Sequence, residues 1–499
     1  MSSPNPPTNR RLLAIDQGTT SSRAILFDEE CRPLRTAQRE IHQSFPTPGF
    51  VEHDAVEIWE SVLSTTREVL EEVDPKTITS IGITNQRETI LLWDRKTGQP
   101  LAPAIVWQDR RTTSEMALLE ENSQLIREKT GLLPDPYFSA SKLKWLLREI
   151  PGAMQRAKAG ELAAGTIDSW LIYKLTNGRE HVTDVTNASR TMLMDIHAGG
   201  WDEGLLALFE VPAKLLPRIV SSSGHLGEAD VAHFGTAIPI GSAIGDQQAA
   251  LFGQLCASPG LVKCTYGTGC FLLAFTGEEA ITSHQRLLTT IAWQIGNQAK
   301  TYALEGSVFV GGAAIQWLRD GLGLIKSAAG INELAAKVPD SGGVILVPAM
   351  AGMGAPFWDP SARGTIHGIT RGTTSAHIAR ATLDGIAWQV ADLVQAMGKD
   401  AGRKISTLRV DGGAAASDLL MQTQADVSGI DVERPQNVES TALGAAMLAG
   451  LAAGVWGGVE DLAPLRTINK TFRPELSTPE RKARQKMWRK AVKRSQNWV

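Results

Sequence analysis

The stretch "LLAIDQGTTSSRAILFD" (residues 12–28) places a short polar segment between two apolar runs. The first run, Leu12 to Ile15, predicts a buried strand, and Arg23 to Phe27 predicts its hairpin partner. The segment between them contains one acid, one glycine and four hydroxyl side chains. Taken alone, such a composition is most often an ordinary polar turn.

The same layout returns near the middle of the chain, where "LVKCTYGTGCFLLAF" (residues 261–275) again places a Gly/Thr turn between two apolar runs. A third turn, Asp411-Gly412-Gly413, lies between a predicted strand and a predicted helix. A phosphate group requires backbone N–H groups, hydroxyls and little steric bulk. The first two turns suit phosphate, and the third could close over an adenosine. Together the three turns favour nucleotide binding over ordinary surface turns.

The rest of the chain alternates between strand and helix patterns. Apolar residues at helical spacing predict a helix over "AVEIWESVLSTTREVLEEV" (55–73), and two strands are predicted over 78–84 and 89–93. A strand precedes Asp246 and a helix follows it. Such alternation indicates an α/β architecture, and 499 residues exceed one ordinary core. We expect a disordered tail (1–10), an N-terminal domain (11–252) and a C-terminal domain (253–499).

Composition excludes several partners and locations. The net charge of −3 argues against a nucleic-acid partner, and the chain has no apolar run of the length that a membrane span requires. Four cysteines without a paired motif indicate a reducing compartment, so we expect a cytoplasmic protein. The basic C-terminal segment predicts a docked helix that packs through Met487, Trp488 and Val492.

Many motifs in collinear order resemble the FGGY family of carbohydrate kinases, within the superfamily of sugar kinases, actin and heat-shock-chaperone ATPases. The likeness runs from about residue 10 to residue 495. It is carried by "DQGTTSSR", "GITNQRETI", "DVTNASRTML", "GDQQAALFGQ", "TYGTGCF" and "RVDGGAAASDLLMQ". The resemblance implies two ribonuclease-H-like (actin-like ATPase) domains that flank a cleft, and the sequence contains no P-loop motif.

The resemblance also implies ATP-dependent phosphorylation of glycerol to sn-glycerol 3-phosphate, as part of glycerol catabolism. Arg87 and Glu88 in "TNQRET" resemble a pair that holds glycerol hydroxyls, and a cation that donates beside a carboxylate that accepts suits a small polyol. The ordinary alternative for such a dipeptide is a surface ion pair. The implied further contacts with the polyol are Trp107, Tyr137, Asp246, Gln247 and Phe271, although either Trp107 or Phe271 could instead be a simple core residue.

Asp246 is the predicted general base, because phosphoryl transfer needs an acceptor for the hydroxyl proton. Its alternative role is the N-cap of the following helix, and both roles can hold together. Mg²⁺ is expected at Asp16, through water, and at Asp246. The ATP contacts that the resemblance implies are Thr19, Thr20, Ser21, Arg23, Thr268, Gly312, Gln316, Gly413 and Ser417. Ser417 stands where bacterial relatives usually have Asn, so no base-edge hydrogen bond is carried over to it.

Two other functions stay open: a kinase for another small polyol or a pentulose, and a chaperone-like or structural ATPase. The resemblance further implies a homodimer or homotetramer. Some relatives bind fructose 1,6-bisphosphate through an arginine where this chain has Ala237, so we expect that site to be weak. Others are phosphorylated on a histidine in the same loop, and His233 lies one residue out of register.

Overall fold

The computed structural model describes residues 10–498 and divides into two compact units. The first unit comprises the described residues up to Leu255, together with Thr290–Tyr302 and Ser440–Leu465. The second comprises Cys256–Thr289, Ala303–Glu439 and the described residues from Arg466 onward. Two segments that come after residue 255 in the sequence therefore belong to the first unit, so no single domain boundary separates the two units. The predicted tail, residues 1–10, lies outside the described residues except for Arg10.

The strands confirm the predicted hairpins and the strands predicted around Asp246 and before Asp411. In chain order they are β1 (Arg11–Gln17), β2 (Ser21–Phe27), β3 (Pro33–Glu40), β4 (Gln43–Ser44), β5 (Glu52–His53), β6 (Ile78–Asn85), β7 (Ile90–Asp94), β8 (Ala104–Ile105), β9 (Leu162–Thr166), β10 (Val182–Asp184), β11 (Met194–Asp195), β12 (Gly200–Trp201), β13 (Arg218–Val220), β14 (Ser223–Ala229), β15 (Ile238–Gly245), β16 (Leu261–Tyr266), β17 (Cys270–Gly277), β18 (Leu288–Trp293), β19 (Thr301–Val308), β20 (Ile345–Val347), β21 (Thr365–His367), β22 (Thr407–Asp411), β23 (Asp431–Pro435) and β24 (Ile468–Phe472).

The helices alternate with these strands, as the sequence predicts. In chain order they are α1 (Ala55–Val69), α2 (Thr113–Ala117), α3 (Ser123–Thr130), α4 (Ser139–Glu149), α5 (Ala153–Ala159), α6 (Ile167–Leu175), α7 (Val185–Ala188), α8 (Glu203–Leu208), α9 (Val231–Phe234), α10 (Asp246–Gly253), α11 (Gly312–Asp320), α12 (Gly330–Ala335), α13 (Ser375–Asp400), α14 (Asp418–Ser428), α15 (Ser440–Ala452) and α16 (Thr478–Ser495). None of the helices in the described range is long and apolar enough to cross a membrane.

The central sheet of the first unit has the order β14-β15-β6-β1-β2-β3. Strand β6 runs parallel to both β1 and β15, while β1 and β2 form the antiparallel hairpin. In register, Gln17 and Gly245 both lie beside Asn85. The carboxyl ends of three strands from distant parts of the sequence therefore meet at one edge, which is where open parallel sheets bind their ligands.

Helix α15, which comes late in the sequence, packs against this sheet and against α10. Ser242 and Ser223 each donate a side-chain hydrogen bond, both of 2.7 Å, to the carbonyls of Ala445 and Leu448 in α15. Gly444 lets α15 approach α10 so closely that an added Cβ atom would collide with the carbonyl oxygen of Ala249. The absence of a side chain at this position is therefore a packing requirement.

The second unit contains strands β17, β16, β22, β23 and β24, which are neighbours in this order in one sheet. Strands β16 and β17 form an antiparallel hairpin, and β16 runs parallel to β22. Each unit thus has a hairpin whose first strand pairs in parallel with another strand of its sheet.

In α16, Trp488 is buried and stacks on Trp388 with ring centroids 6.4 Å apart, as a docked helix requires. Met487 is 50% exposed, so its predicted packing role is wrong.

Gly444→Ala should destabilise the protein by about 1–3 kcal/mol, because the new methyl group forces α15 away from α10. Urea unfolding of the full chain measures this change. Gly330→Ala is the matched control, since its Cβ would have no neighbour nearer than 3.6 Å. Equal stability of the two variants would contradict the packing account.

Candidate active site

The turn after β6 places two buried charged residues at the carboxyl edge of the first unit's sheet. Glu88 has a φ of +60°, and the N–H of Thr89 donates to the carbonyl of Arg87 at 2.7 Å. This is a three-residue turn through left-handed backbone, which is strained for a residue with a side chain. Gln86 anchors the turn to β1, because its N–H donates to the carbonyl of Gln17 at 2.7 Å. Strained turns of this kind cluster at functional sites.

Arg87 is buried and is held by groups from α10. Its Nε lies 3.3 Å from Oδ1 of Asp246, and its Nη1 donates to Oε1 of Gln248 at 3.2 Å. The stem of Arg87 crosses Gly245, where an added Cβ would lie 2.8 Å from its Cγ and Cδ. The alternative of a surface ion pair is therefore wrong. The sequence analysis missed Gln248, whose only local signal is its place in "GDQQ", two residues after Asp246.

Glu88 pairs with a second buried arginine that the sequence analysis also missed. Nε of Arg190 donates to Oε1 of Glu88 at 2.6 Å, while Nε of Arg87 lies 3.9 Å from the same oxygen. The guanidinium of Arg190 lies over the rings of Tyr137 and Phe138, at 5.8 and 5.2 Å. Two cations, Arg87 and Arg190, therefore orient the Glu88 carboxylate. The only sign of Arg190 in the sequence is its place in the motif "DVTNASRTML".

Trp107 and Tyr137 form an aromatic wall in the same unit. Their rings meet edge to face with centroids 5.5 Å apart, and both side chains are half-buried, so Trp107 is not a simple core residue. The indole N–H of Trp107 donates to Oγ1 of Thr19 at 3.0 Å, which links the wall to the first polar hairpin turn. Lys142 is fully buried and donates to the backbone carbonyls of both aromatic residues. Burial lowers the pKa of Lys142 to about 7.

Asp246 is the first residue of α10, and the residue that caps this helix is Gly245. The N-cap alternative for Asp246 is therefore wrong. Its Oδ1 accepts the N–H of Gln247 at 2.7 Å, and 29% of its side chain is exposed. A carboxylate at a helix N-terminus and beside an arginine is favoured in its ionised form.

Asp16 lies near the end of β1, half-buried and paired in register with Arg23 across the hairpin. Within residues 10–498, no group of three or more His, Cys, Asp or Glu side chains could hold a metal ion by itself. Mg²⁺ in kinases needs only one or two carboxylates, since phosphate oxygens and waters supply the remaining ligands. The carboxylates of Asp16 and Asp246, near the ends of β1 and β15, fit an ion of that kind.

The first hairpin turn exposes its predicted phosphate contacts to different degrees. The N–H of Gly18 donates to the carbonyl of Ser21 at 2.9 Å and closes the turn. Thr20 is exposed at the tip, whereas the hydroxyl of Ser21 accepts a hydrogen bond of 2.9 Å from Gln38. Arg23 is half-buried. The structure therefore brings the predicted residues of this turn together.

In the second unit, the hairpin turn after β16 packs against the start of α11. The N–H groups of Gly311 and Gly312 donate to the carbonyls of Thr268 and Gly267, at 2.8 and 2.9 Å. Thr268 and Gly312 are therefore neighbours, and Gln316 lies exposed one helical turn further along α11. Phe271 is half-buried in β17, in the second unit, whereas the other predicted polyol contacts belong to the first.

The turn after β22 lies beside β16, with Asp411 in register with Thr265. Gly412 has a φ of +85°, and an added Cβ would lie 2.6 Å from the carbonyl oxygen of Tyr266. Gly413 is exposed, with no chain atom within 4 Å of the Cβ position. The chain itself therefore requires glycine at 412 and not at 413.

Ser417 is the N-cap of α14, because its Oγ accepts the N–H of Leu420 at 3.0 Å. The same hydroxyl donates to Oδ1 of Asn332. The Ser417 hydroxyl therefore stabilises the start of α14 and links it to Asn332. His233, in α9, has its Nε2 3.1 Å from the carbonyl of Lys174, and burial lowers its pKa.

Each of the two α/β units has a hydroxyl- and glycine-containing hairpin turn at the carboxyl edge of its sheet, as expected of actin-like ATPase domains. The chain belongs to the FGGY family of carbohydrate kinases. The model of the family's N-terminal domain matches residues 11–253, and that of its C-terminal domain matches residues 262–453.

Individual relatives cover nearly the whole chain. The chain is 57% identical over 493 residues to the glycerol kinase of Dechloromonas aromatica (strain RCB), which covers 98% of each protein. The crystal structure of Plasmodium falciparum glycerol kinase with ADP superposes with a TM-score of 0.92 at 38% identity, over 97% of this chain and 98% of that one. A ligand-bound xylulose kinase from Lactobacillus acidophilus has a TM-score of 0.87 at 22% identity, over 97% of each chain, and shares the fold.

Proposed function

We propose that this chain transfers the γ-phosphoryl group of ATP to glycerol and releases sn-glycerol 3-phosphate and ADP. The observation that carries the proposal is the buried Arg87–Glu88 turn with Asp246 3.3 Å from Arg87. Relatives at 52–57% identity that cover nearly the whole chain bear the name glycerol kinase, which supports the same substrate.

The first step is recognition of the polyol. Arg87 offers N–H donors and Glu88 offers acceptor oxygens, and both side chains are almost fully buried. Side by side, a cation and a carboxylate hold two neighbouring hydroxyl groups, one mainly as acceptor and one mainly as donor. The ring of Trp107 contacts the carbon chain, and Tyr137 and Gln247 offer polar contacts. Phe271, in the second unit, stays a predicted contact with the carbon chain.

The second step is transfer of the phosphoryl group. A glycerol hydroxyl oxygen attacks the γ-phosphorus, the bond from that phosphorus to the β-phosphate oxygen breaks, and Asp246 accepts the hydroxyl proton. The guanidinium of Arg87 orients the Asp246 carboxylate for this role. Asp246 and Asp16, the latter through water, would hold Mg²⁺, which neutralises phosphate charge when it is bound.

The nucleotide contacts are proposed in both units. In the first unit they are Thr19, Thr20, Ser21 and Arg23, and in the second they are Thr268, Gly312, Gln316, Gly413 and Ser417. We propose that Ser417 acts by capping α14 beside the Gly413 turn. The cytoplasmic location and the homodimeric or homotetrameric state stay predictions.

A glycerol-dependent ADP-release assay on the purified full chain tests the reaction. Glycerol, erythritol, xylulose and gluconate are compared at equal concentration, and glycerol should give the highest kcat/KM. Turnover of xylulose without turnover of glycerol would establish the alternative pentulose kinase. ATP hydrolysis that no polyol stimulates would instead support an ATPase on the same fold.

Arg87→Ala should raise the glycerol KM about 10- to 100-fold, because a charge-assisted hydrogen bond to the polyol is lost. The ATP KM should change much less. Steady-state kinetics with each substrate varied measure the split. Arg32→Ala, which removes an exposed ion pair with Asp28, is the control and should match the wild type. Equal losses for both substrates would indicate misfolding.

Asp246→Asn should lower kcat by about 10²–10⁴-fold, because the amide cannot accept the hydroxyl proton. Binding of ADP, measured by calorimetry, should stay close to that of the wild type. A variant that turns over at the wild-type rate would remove Asp246 as the general base.

Gly413→Ala separates a nucleotide contact from a structural glycine. Since no chain atom lies within 4 Å of the new methyl group, the melting temperature should not change. The ATP KM should rise if the nucleotide lies against Gly413. Gly412→Ala, in contrast, should lower the melting temperature, because both its φ and the Tyr266 carbonyl oppose a side chain. An unchanged ATP KM in Gly413→Ala would place the nucleotide elsewhere.

A further inference from the structure

In the segment Asp184–Arg190, "DVTNASR", only Arg190 has a role in the site as described so far. Asp184 ends β10 and caps the short helix α7, and its side chain is fully buried. Its carboxylate accepts five hydrogen bonds of 2.7–2.9 Å. The donors are the N–H and hydroxyl of Thr186, the N–H and side-chain amide of Asn187, and the hydroxyl of Ser222.

A second buried acid, Asp168, lies beside Asp184. The N–H of Asp184 donates to Oδ2 of Asp168 at 3.1 Å. Burial and the nearby Asp184 carboxylate raise the pKa of Asp168 to about 7. Burial raises the pKa of Asp184 as well, and the Asp168 carboxylate has donors of its own, the hydroxyls of Thr166 and Thr183.

The first branch of the network leads to the proposed base. Oγ1 of Thr186 donates to Asp184 and accepts the N–H of Gly245 at 2.8 Å. This hydroxyl therefore acts both as a hydrogen-bond donor and as a hydrogen-bond acceptor. Gly245 is the last residue of β15 and directly precedes Asp246. The orientation of the Thr186 hydroxyl consequently fixes the backbone on which Asp246 begins.

The second branch of the network leads to Arg87 and Glu88, the pair proposed to bind the polyol. Asn187 and Asn85 exchange two side-chain amide hydrogen bonds, of 2.9 and 3.1 Å. Asn85 is the last residue of β6 and begins the turn that carries Arg87 and Glu88. Arg190, at the end of the same segment, holds the Glu88 carboxylate.

A third set of contacts links the segment to Arg87 through Gln248 and Thr290. Gln248, which accepts from Arg87, donates to the hydroxyl of Thr290 at 3.4 Å. The hydroxyls of Thr290 and Ser189 lie 3.1 Å apart. The segment therefore reaches Arg87 both through Asn85 and through Gln248, and all of these residues belong to the first unit.

We propose that Asp184, Thr186 and Asn187 are positioning residues: one buried carboxylate holds the ends of β15 and β6 in register, and thereby fixes Asp246 relative to the Arg87–Glu88 pair. The assignment of roles to those three residues rests on the proposed function. Asp184, Thr186 and Asn187 are all fully buried, so they act through Asp246 and the pair. Satisfied polar networks of this kind rigidify their surroundings, and a displacement of about 1 Å at a reacting group can cost about 100-fold in rate.

The two branches predict different kinetic defects. Thr186→Val keeps the side-chain shape but removes the acceptor of the Gly245 N–H, so kcat should fall about 10- to 100-fold with the glycerol KM within about 3-fold. Asn187→Leu should instead raise the glycerol KM by about 10-fold or more, because the Arg87–Glu88 turn loses its anchor. Thr186→Ser retains the hydroxyl and should stay within about 3-fold of the wild-type kcat.

Thr176→Val is the matched control for Thr186→Val. Thr176 is also fully buried in the first unit; its hydroxyl donates to the carbonyl of Ile172 at 2.8 Å and accepts the N–H of Glu180 at 3.1 Å. Each valine variant loses one donated and one accepted hydrogen bond at a fully buried site, and Thr186→Val should lower the melting temperature somewhat more, because its lost donor bond goes to a carboxylate. Only Thr186→Val should lose kcat.

Amide hydrogen–deuterium exchange provides a readout that does not depend on activity. The Gly245 amide should exchange at least about 10-fold faster in Thr186→Val than in Thr186→Ser, Thr176→Val or the wild type, because its acceptor is gone. An unchanged Gly245 exchange rate, an equal loss of kcat in both valine variants, or a failure of serine to restore kcat would each overturn the inference. If the wild type does not phosphorylate glycerol, the proposed function fails, and the exchange experiment still decides whether Thr186 holds this strand end.

Discussion

The parallel pairing of β6 with both β1 and β15 is the constraint on which the site depends. It places Gln17, Asn85 and Gly245 side by side, so the residues that follow them meet at one edge. Because successive side chains on a strand point to opposite faces, a slip of one residue would move every side chain of the shifted strand to the other face of the sheet and separate Arg87 from Asp246. The buried apolar residues of these strands therefore fix the geometry of the polar edge.

The charged cluster at this edge is costly to fold. Arg87, Glu88 and Arg190 are almost completely removed from water, and buried ion pairs seldom repay their desolvation in stability. Glu88 adds a strained backbone with a φ of +60°. The hydrogen bond that Arg87 donates to Gln248 and the one that Arg190 donates to Glu88 offset part of this cost. Such an arrangement is expected where preorganised charge serves binding and catalysis rather than stability.

Local patterns predicted much of this molecule. Both hairpins, the strand before Asp246 and the helix after it follow from apolar runs, turn residues and helical spacing. The residues of the Arg87–Glu88 turn were identified by resemblance to the FGGY family. Gln248, Arg190 and Lys142 were missed, since a buried polar residue within an apolar segment has no periodicity of its own. Their importance lies in partners that are distant in sequence.

By itself, the sequence determined the alternation of strands and helices, the three polar turns and the family to which they belong. Those properties depend on residues only a few positions apart, so they can be read along the chain. The tertiary structure alone decided that α15 and the 290–302 segment belong with the first unit, that Gly412 rather than Gly413 is required by the chain, and that Asp184 connects two strand ends. These features depend on close packing and hydrogen bonds between segments far apart in sequence, which only the folded chain brings together.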